Sequence, residues 1–361
     1  MHDALAPQLL ATATALPAHY YVDAQMPALD RRAVFDRGWQ LVAHVSQLRN
    51  PGDHVIADLA GLPVIAVRGA DDVIRVMHNV CRHRAGPIAQ CDGLAAKVLR
   101  CRYHGWAYTL DGQLRSAPEM PDTQDFDVAN IRLPQLAVVV WHGLVFAAVD
   151  AAQAPDFEAF VAGIDARLGP GRGLENYGRH HRIGYDLACN WKVYVDNFLE
   201  GYHIPHVHPE LNRMLDYRSY QTIISTWHSL QWSALESDAS LYGNGDALYY
   251  WLWPNTMLNI LPGRLQTNRV IPLGVDRCRV EFDSYYALDG GHDDAVAKRD
   301  ADLAFSDEVQ HEDLGICEAV QRGFASGSYV PGRLNPLRES GVHHFHELLR
   351  AAYRVALPDG P

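Results

Sequence analysis

Two short Cys/His pairs place the strongest constraint on what this 361-residue chain can fold into. The first pair is Cys81-Arg82-His83, and the second, Cys101-Arg102-Tyr103-His104, begins after a gap of seventeen residues. Thiolate and imidazole donors at such spacing are typical of two loops that close on one metal centre. The flanking segments Gly86-Pro87 and Gly105-Trp106 are rich in loop-forming residues and support this interpretation.

Two cysteines and two histidines can hold a [2Fe–2S] cluster of the Rieske type, with Cys81 and Cys101 on one iron and His83 and His104 on the other. Neutral imidazoles donate less negative charge than thiolates, so the reduction potential rises to roughly −150 to +300 mV. That range suits an electron relay between a flavin or ferredoxin and an iron–oxygen centre. A structural zinc site uses the same ligand types, but the C-x-H spacing is unusual for zinc and favours the cluster.

A second group of histidines follows a predicted helix that runs from about Asn190 to His203. His203, His206 and His208 lie at and beyond its end, where Pro205 is expected to stop the helix. Non-haem Fe(II) oxygenases use two histidines and one carboxylate, which leaves positions open for O2 and substrate. We expect His203 and His208 to bind Fe(II), with His206 as the competing ligand.

The carboxylate ligand is expected on a final long helix from about Asp300 to Phe324. An apolar stripe is predicted there at helical spacing, formed by Phe305, Val309, Ile316, Val320 and Phe324. Asp313 falls inside this stripe, whereas Glu312 lies at its margin. A carboxylate that faces a core is costly unless it is paired or binds metal. This selects Asp313 as the third ligand, and the alternative role is a buried partner for an Arg or His side chain.

Two acids precede His203 on the same predicted helix face. Asp196, Glu200 and His203 are spaced i, i+4 and i+7, and both acids are candidate catalytic residues. From one turn away, Glu200 can hydrogen-bond the ligand imidazole and fix its orientation. The alternative for Glu200 is a solvated acid on an exposed face.

The pattern of predicted elements indicates an α+β protein. We predict an N-terminal segment (residues 1–36) that packs on the catalytic domain, a β domain (37–150) and a catalytic domain (151–361), with a Gly/Pro-rich joint at 169–173. A short helix is expected near Ala28–Phe35. Strands are predicted at Val64–Val67, Val73–Met77, Val138–Val149, Tyr217–Trp232, Ala247–Leu261, Leu265–Leu273 and Cys278–Ala287.

Charge and hydropathy exclude several classes of function. The formal net charge of −12 argues against a nucleic-acid partner, which requires clustered Lys and Arg. No apolar run has the length of a membrane span, and no secretory signal is recognised at the N-terminus. We therefore expect a cytoplasmic protein that binds neither nucleic acid nor membrane.

In these motifs, the chain resembles the large (α) subunit family of Rieske non-haem iron ring-hydroxylating and demethylating oxygenases. The resemblance extends from the segment Phe35–Trp39 to the segment Gln321–Gly323. It implies an N-terminal all-β Rieske [2Fe–2S] domain and a C-terminal helix-grip catalytic domain with an antiparallel sheet. The cluster motif of the family falls on Cys81, His83, Cys101 and His104, and its iron motif on His203, His208 and Asp313.

The resemblance also implies partners. In the family, a ring-shaped homotrimer brings the cluster of one subunit beside the iron of its neighbour, and the bridging acid matches Glu200. No dinucleotide fingerprint is present, so a separate flavin/iron–sulfur reductase or a ferredoxin is expected to deliver the electrons of NAD(P)H.

Glu200 also bears on the substrate, because many ring-hydroxylating members have Asp at that position. Glu at this point, together with Tyr249–Met257 and Arg264–Asn268, is similar to carnitine and choline monooxygenases. The expected reaction is hydroxylation of a quaternary ammonium compound, with N-dealkylation or C–N cleavage. The candidate cation–π residues, which ordinary sheet packing would explain equally, are Trp227, Tyr249, Trp251 and Trp253. The alternatives are an aromatic-acid ring hydroxylase, an O-demethylase, or a Rieske electron carrier without catalysis.

Overall fold

A computed structural model of the chain describes residues 5–120, 122–169, 173–215, 217–235, 242–243, 245–287 and 293–357. The chain divides into two compact units. The small unit consists of described residues within Phe35–Pro155 and Gly173–Asn176. The large unit consists of described residues before Phe35, within 156–172, and from Tyr177 onward.

The described part of the small unit contains three antiparallel sheets of three strands each, in the orders β1-β9-β8, β2-β3-β4 and β5-β6-β7. The strands are β1 (Gln40–His44), β2 (His54–Leu59), β3 (Leu62–Arg68), β4 (Ile74–His78), β5 (Leu99–Arg100), β6 (Ala107–Tyr108), β7 (Leu114–Ser116), β8 (Ala137–Trp141) and β9 (Leu144–Ala148). The predicted strand Val138–Val149 is in fact the hairpin β8–β9. Its turn is made by His142 (φ 46°) and Gly143 (φ 80°), both in the left-handed region, which reverses the chain.

The large unit is built around one seven-stranded antiparallel sheet of order β10-β16-β15-β14-β13-β12-β11. Its strands are β10 (Tyr177–Leu187), β11 (Gln221–Ile224), β12 (His228–Leu235), β13 (Gly245–Leu252), β14 (Thr256–Leu261), β15 (Arg264–Pro272) and β16 (Cys278–Ala287). The single strands predicted over Tyr217–Trp232 and Ala247–Leu261 are each two strands. They are divided by the turns at 225–227 and 253–255, which the continuous apolar sequence conceals.

Helices in the described part of the large unit lie before, within and after the sheet. They are α1 (His19–Val22), α2 (Met26–Asp30), α3 (Phe157–Phe160), α4 (Ile164–Leu168), α5 (Trp191–Phe198), α6 (Ile204–Val207), α7 (Pro209–Met214), α8 (Asp293–Ala325) and α9 (Ser340–Ala356). A π-helical turn at Arg31–Phe35 follows α2. The helix predicted near Ala28–Phe35 is thus divided between α2 and this turn. None of the described helices combines the length and apolar character that a bilayer crossing requires.

The helix predicted from Asn190 to His203 is shorter than expected, because α5 ends at Phe198. The Asn190 side chain caps its N-terminus by accepting a hydrogen bond from the Lys192 backbone N–H at 3.0 Å. Beyond its end, the Glu200 carboxylate accepts the backbone N–H groups of Tyr202 and His203. The side chain thereby replaces the carbonyl acceptors that a continuing helix would have offered. Pro205 does not stop this helix; it lies in the first turn of α6, where proline is tolerated.

The long helix α8 buries a more polar face than the predicted stripe. Its fully buried side chains include Asp302, Gln310 and Gln321, whereas Ile316 is 40% exposed and Val320 is 39% exposed. The stripe was therefore wrong at those two positions. The physical reason is that polar side chains of α8 find hydrogen-bond partners inside the unit, and these bonds offset the cost of burial.

A buried polar cluster ties the N-terminal segment to α5 and α9. Asp30 accepts hydrogen bonds from Trp191 Nε1 at 2.8 Å, from Lys192 Nζ and from Tyr353 OH. Asp30 and Lys192 are fully buried, and each satisfies the charge of the other. Helix α9, which the sequence analysis did not predict, is thereby fixed beside α5.

Candidate functional site

Three side chains of the large unit converge on a single point. His203 Nε2 lies 3.2 Å from His208 Nε2, and Asp313 Oδ1 lies 3.0 Å from His208 Nε2 and 3.7 Å from His203 Nε2. These three residues form a group whose ligand atoms lie within 4.8 Å of one another. Two imidazoles and one carboxylate at this spacing are the donor set of non-haem Fe(II) oxygenases.

Short helices bring the two histidines together. His203 is the residue before α6, and His208 lies between α6 and α7. The single turn of α6 turns the chain so that residues five apart face one another. Asp313 arrives from α8. His206, the competing ligand, is exposed and is not part of this group.

Each of the two histidines is held from behind by a carboxylate. Glu200 Oε1 lies 2.7 Å from His203 Nδ1, and Glu312 Oε2 lies 2.6 Å from His208 Nδ1. An ionised carboxylate only accepts hydrogen bonds, so both Nδ1 atoms carry the proton. Both Nε2 atoms then present lone pairs to the same point. Such carboxylate–histidine pairs fix ring orientation and raise the basicity of a metal ligand.

The local electrostatics favour a cation. Burial by itself lowers the pKa of His208, but the neighbouring carboxylates of Asp313 and Glu312 outweigh it and raise the pKa above its ordinary value. Asn197 Nδ2 donates to Asp313 Oδ1 at 2.7 Å, which orients that carboxylate. The lone pairs, the acids and the ligand types all fit a divalent iron.

Asp196 lies apart from this point. Its carboxylate accepts hydrogen bonds from Tyr21 OH at 2.7 Å and lies 2.9 Å from His346 Nε2. The face predicted to contain both Asp196 and Glu200 does not exist, because α5 ends between them. The contacts of Asp196 connect α5 with the N-terminal segment and α9.

The small unit contains the other predicted ligand set, on two loops with the same hydrogen-bond pattern. Cys81 N–H donates to the Gly86 carbonyl at 2.8 Å, and Cys101 N–H donates to the Trp106 carbonyl at 2.9 Å. Within these rings the N–H of Ala85 returns to the Cys81 carbonyl, and that of Gly105 to the Cys101 carbonyl. Two equivalent loops therefore each present one cysteine.

The side chains on these loops suit a cluster. Cys81 and Cys101 are buried, and the ring centroids of His83 and His104 are 4.5 Å apart. His83 Nδ1 is buried without a hydrogen-bond partner among the described residues. A Cβ added at Gly86 would lie 3.0 Å from Cys101 Sγ, so glycine leaves space beside the sulfur. An unpartnered imidazole nitrogen next to two buried thiols is the donor arrangement that a Rieske cluster requires.

The Tyr108 hydroxyl contacts the first loop, which contains Cys81. This hydroxyl lies 3.2 Å from Cys81 Sγ and accepts the Arg82 backbone N–H at 3.0 Å. Because it accepts that N–H, its own proton is free to point at the sulfur. Hydrogen bonds to cluster sulfurs are one of the means by which proteins set the reduction potential.

A cavity opens onto His203, His208 and Asp313. Its walls come from the sheet, from α5 and from α8. The cavity is lined by seven Phe and Tyr side chains, namely Tyr194, Phe198, Tyr220, Tyr242, Tyr249, Phe282 and Phe305. Of the predicted substrate residues, Tyr249 lines the cavity, whereas Trp227, Trp251 and Trp253 are not among its lining residues.

Other contacts are seen for the three tryptophans. Trp251 and Trp253 are buried and contact the Phe345 ring of α9 at centroid distances of 5.4 and 6.2 Å. Trp227 lies in the turn between β11 and β12, where its carbonyl accepts the Trp253 N–H at 2.9 Å. The structure therefore does not support these three as a cation–π cage.

The fold and the two ligand sets define an iron–sulfur-dependent oxygenase. Residues 38–132 match the Rieske [2Fe-2S] domain, and residues 174–354 match the ring hydroxylating alpha subunit (catalytic domain). The chain belongs to the α-subunit family of Rieske non-haem iron oxygenases. The expected fold class, the cluster and the mononuclear iron are thereby confirmed, and a zinc site or an electron carrier without catalysis is set aside.

Relatives of this chain include choline and carnitine monooxygenases. The chain is 35% identical over 354 residues to choline monooxygenase of Arabidopsis thaliana, covering 94% of this chain and 83% of that protein. It is 30% identical over 359 residues to the carnitine monooxygenase oxygenase subunit of Escherichia coli (strain K12), covering 94% of both. The chain is the oxygenase component of a Rieske monooxygenase system.

Solved structures agree. The quaternary ammonium Rieske monooxygenase CntA in complex with L-carnitine superposes with a TM-score of 0.86 at 27% identity, covering 98% of this chain and 99% of that chain. Naphthalene 1,2-dioxygenase with indole bound has a TM-score of 0.75 at 18% identity, which shows a shared fold alone.

Sequence reasoning missed three residues of the site. Glu312 was placed at the margin of the predicted apolar stripe, but its carboxylate accepts a hydrogen bond from His208 Nδ1. Asn197 orients Asp313, and Gln310 lines the cavity one turn before Asp313. A signal was available for Gln310, since side chains three or four apart share a helix face and Gln310 lies three residues before Asp313. Glu312, as the neighbour of the ligand, required the structure.

Proposed function

We propose that this oxygenase hydroxylates a quaternary ammonium compound at a carbon bonded to nitrogen or close to it. The observation that carries the proposal is the cavity beside His203, His208 and Asp313. It combines aromatic walls with the carboxylates of Glu200 and Asp313. Aromatic faces and negative charge attract a trimethylammonium group, which makes no hydrogen bonds. The relatives named choline and carnitine monooxygenase act on ions of this class.

The charges of the cavity wall are compatible with a cationic substrate. Arg264 lines the cavity, but its Nε donates to the buried carboxylate of Asp302 at 2.7 Å. Tyr242 and Tyr286 donate to the same carboxylate. The positive charge of Arg264 is therefore balanced inside the wall and opposes an incoming ammonium ion only weakly.

The residues of the site have separate tasks in the proposed reaction. His203, His208 and Asp313 would hold Fe(II), which supplies the O2 chemistry when bound. Glu200 and Glu312 accept hydrogen bonds from the Nδ1–H groups of His203 and His208. Both Nε2 lone pairs are thereby kept on the side of the proposed metal. The aromatic walls exclude water from the substrate. In balance, one oxygen atom enters a C–H bond and the other leaves as water, with two electrons and two protons consumed.

The fate of the product depends on which carbon is hydroxylated. Where the carbon is bonded directly to the quaternary nitrogen, the hydroxylated product collapses. Its C–N bond breaks and a tertiary amine leaves with the electron pair. The hydroxyl proton is released to solvent, and the oxygen-bearing carbon becomes an aldehyde. Where the carbon instead bears a hydroxyl already, the product is an aldehyde hydrate.

We also propose the electron path. Glu200 accepts its hydrogen bond from His203 and is the bridging acid between His104 of one subunit and His203 of its neighbour in a homotrimer. Support comes from the match of Glu200 to the family's bridging position and from CntA, for which inter-subunit electron transfer is described. A flavin/iron–sulfur reductase or ferredoxin would supply the electrons from NAD(P)H. Cytoplasmic residence remains a prediction.

The test is a substrate screen on anaerobically reconstituted protein with a Rieske-system reductase and NADH. Choline, carnitine and betaines are compared with benzoate-type acids and aryl methyl ethers, following O2 uptake, aldehyde and released amine. We expect coupled O2 uptake and product from quaternary amines only. Turnover of an aromatic acid or a methyl ether, with none of a quaternary amine, would refute the proposal in favour of ring hydroxylation or O-demethylation.

A further inference from the structure

The face of the sheet that forms the cavity is unusually rich in amide side chains. Alternate residues of β15, namely Arg264, Gln266 and Asn268, all line the cavity, as the two-residue period of a strand requires. Asn259 on β14 is paired with Gln266 in register, and Gln231 on β12 is paired with Tyr249. Gln310 on α8 adds a further amide to the same cavity.

Two of these amides are satisfied at both ends by the protein. Gln231 donates to the Phe198 carbonyl and accepts from Tyr220 OH at 2.9 Å. Gln266 donates to Ser306 Oγ at 2.8 Å and accepts from Asn259 Nδ2 at 3.2 Å. Each end of Gln231 and Gln266 therefore already has a protein partner, and these two side chains stabilise the wall.

The other three amides each have a buried atom without a partner among the described residues. These atoms are Asn259 Oδ1, Asn268 Oδ1 and Gln310 Nε2. The three side chains are 9%, 2% and 2% exposed. Tyr194 OH donates to Gln310 Oε1 at 2.8 Å, and Asn259 Nδ2 is held by Gln266. These hydrogen bonds leave the side-chain carbonyl oxygen of Asn259 and the side-chain N–H groups of Gln310 without a partner among the described residues.

We propose that these amides bind a hydroxyl group of the substrate, which makes the substrate a quaternary ammonium alcohol. Gln310 Nε2 donates to the hydroxyl oxygen and Asn268 Oδ1 accepts the hydroxyl proton, with Asn259 Oδ1 as the alternative acceptor in the same cavity wall. This inference rests on the proposed function and narrows its substrate class. An unpartnered buried polar group destabilises a protein, whereas a ligand that completes its hydrogen bonds gains affinity and selectivity. Gln310, one turn from Asp313, places the hydroxyl near the metal-binding point.

A hydroxyl fits better than a carboxylate. Two of the three free atoms are carbonyl oxygens, which need a donor and repel an anion. A hydroxyl donates to one of them and accepts from Gln310 Nε2 at the same time. Arg264, the positively charged side chain of the described cavity wall, is already paired with Asp302, so no unbalanced cation awaits a carboxylate.

The experiment measures binding to the metal-loaded protein by calorimetry, without turnover, using two pairs of ligands. Choline is compared with n-propyltrimethylammonium, in which a methyl replaces the hydroxyl. L-carnitine is compared with γ-butyrobetaine, which lacks only the hydroxyl. For each pair that binds, we expect the ligand with the hydroxyl to bind at least about ten-fold more tightly than the ligand without it.

The outcomes separate this inference from the proposed function. Equal affinity within two-fold for both members of the binding pair overturns the hydroxyl inference and leaves the substrate class intact, as expected if ordinary water fills these positions. Failure of all four ions to bind overturns the substrate class and the inference with it.

Substitutions at two of these residues provide a second test of the hydroxyl preference. Gln310→Met and Asn268→Leu keep side-chain size but remove the free amide, and each should reduce the ten-fold preference to about three-fold or less. The matched control is Thr267→Val. Thr267 also has a buried unpartnered oxygen on β15, but it lies outside the cavity lining and should keep the wild-type preference. The visible spectrum of the cluster verifies folding. A preference unchanged in both cavity variants would overturn the proposal.

Discussion

Glu312→Ala should weaken iron binding although Glu312 is not itself a ligand. Its Oε2 lies 2.6 Å from His208 Nδ1, on the side of the ring that faces away from the metal-binding point. Removing the carboxylate leaves the Nδ1 proton without an acceptor and frees the ring to rotate or to change tautomer. In the other tautomer Nε2 is protonated and unable to bind metal.

Two estimates give the same magnitude. Loss of a carboxylate behind a metal-binding histidine typically costs ten- to hundred-fold in affinity, about 1.4 to 2.7 kcal/mol. Separately, the His208 side chain is only 2% exposed, and an unsatisfied buried donor costs about 1 to 3 kcal/mol. Glu312 is 28% exposed, so water can replace part of the lost bond. We therefore expect a loss near the lower end, about ten- to thirty-fold.

The assay is anaerobic dialysis against a graded series of a ferrous chelator, followed by iron analysis. The [2Fe–2S] absorbance gives an internal standard, because the cluster lies in the other unit and should be unaffected. Glu312→Gln, which retains an oxygen acceptor, should lose less iron than Glu312→Ala. Glu308→Ala is the matched control, since Glu308 is exposed on the same helix. An iron-retention curve for Glu312→Ala that overlays the wild-type curve would refute the reasoning.

Three further predictions concern other parts of the molecule. Asp313→Ala should abolish mononuclear iron and turnover while the cluster spectrum persists; full turnover would show that Asp313 is not a ligand. Glu200→Gln, assayed at saturating iron, should keep both metals but slow cluster re-oxidation at least about ten-fold, and a normal rate in a stopped-flow experiment would remove Glu200 as the bridge. Burial lowers the pKa of His344 from 6.5 to about 4. As the pH falls, His344 is therefore protonated in the unfolded chain before it is protonated in the folded protein. The free energy of unfolding should therefore fall as the pH drops from about 6.5 to 4, by up to about 3 kcal/mol before solvent screening. In urea unfolding, His344→Gln should show a smaller difference in stability between pH 7.5 and pH 5 than the wild type. An unchanged difference would exclude His344 as the group responsible.

Much of the fold could be predicted because local patterns determine it. Strand β16 coincides with the predicted Cys278–Ala287, where flanking Gly and Asp residues mark both ends. Helix α5 was predicted too long, because helical spacing continues past Phe198 while the Glu200 side chain captures the next backbone N–H groups. Spacing alone cannot show that a side chain will compete with the backbone.

Trp251, predicted as a substrate residue, is absent from the cavity lining for a reason that involves the missed helix. Tyr249 and Trp251 are two residues apart on β13 and lie on the same face of the sheet. That face is shared, because α9 covers the end at Trp251 through Phe345, whereas the end at Tyr249 borders the cavity. A sequence that gives the correct face of a strand still does not show which part of that face another element covers.

The atoms that we propose as metal ligands in the two units include ones that the fold leaves without a proton donor or acceptor. His203 and His208 have their Nδ1 atoms bonded to acids, so their Nε2 lone pairs face each other at 3.2 Å, an arrangement that is repulsive until a cation lies between them. His83 Nδ1 is likewise buried and unpartnered beside two thiols. The free amide atoms of Asn259, Asn268 and Gln310 are selected by the same criterion in the same cavity wall. Satisfied neighbours such as Gln231 and Gln266 show that this wall can pair its amides. The hydroxyl proposed above would complete the Gln310 N–H and one of the two free carbonyl oxygens.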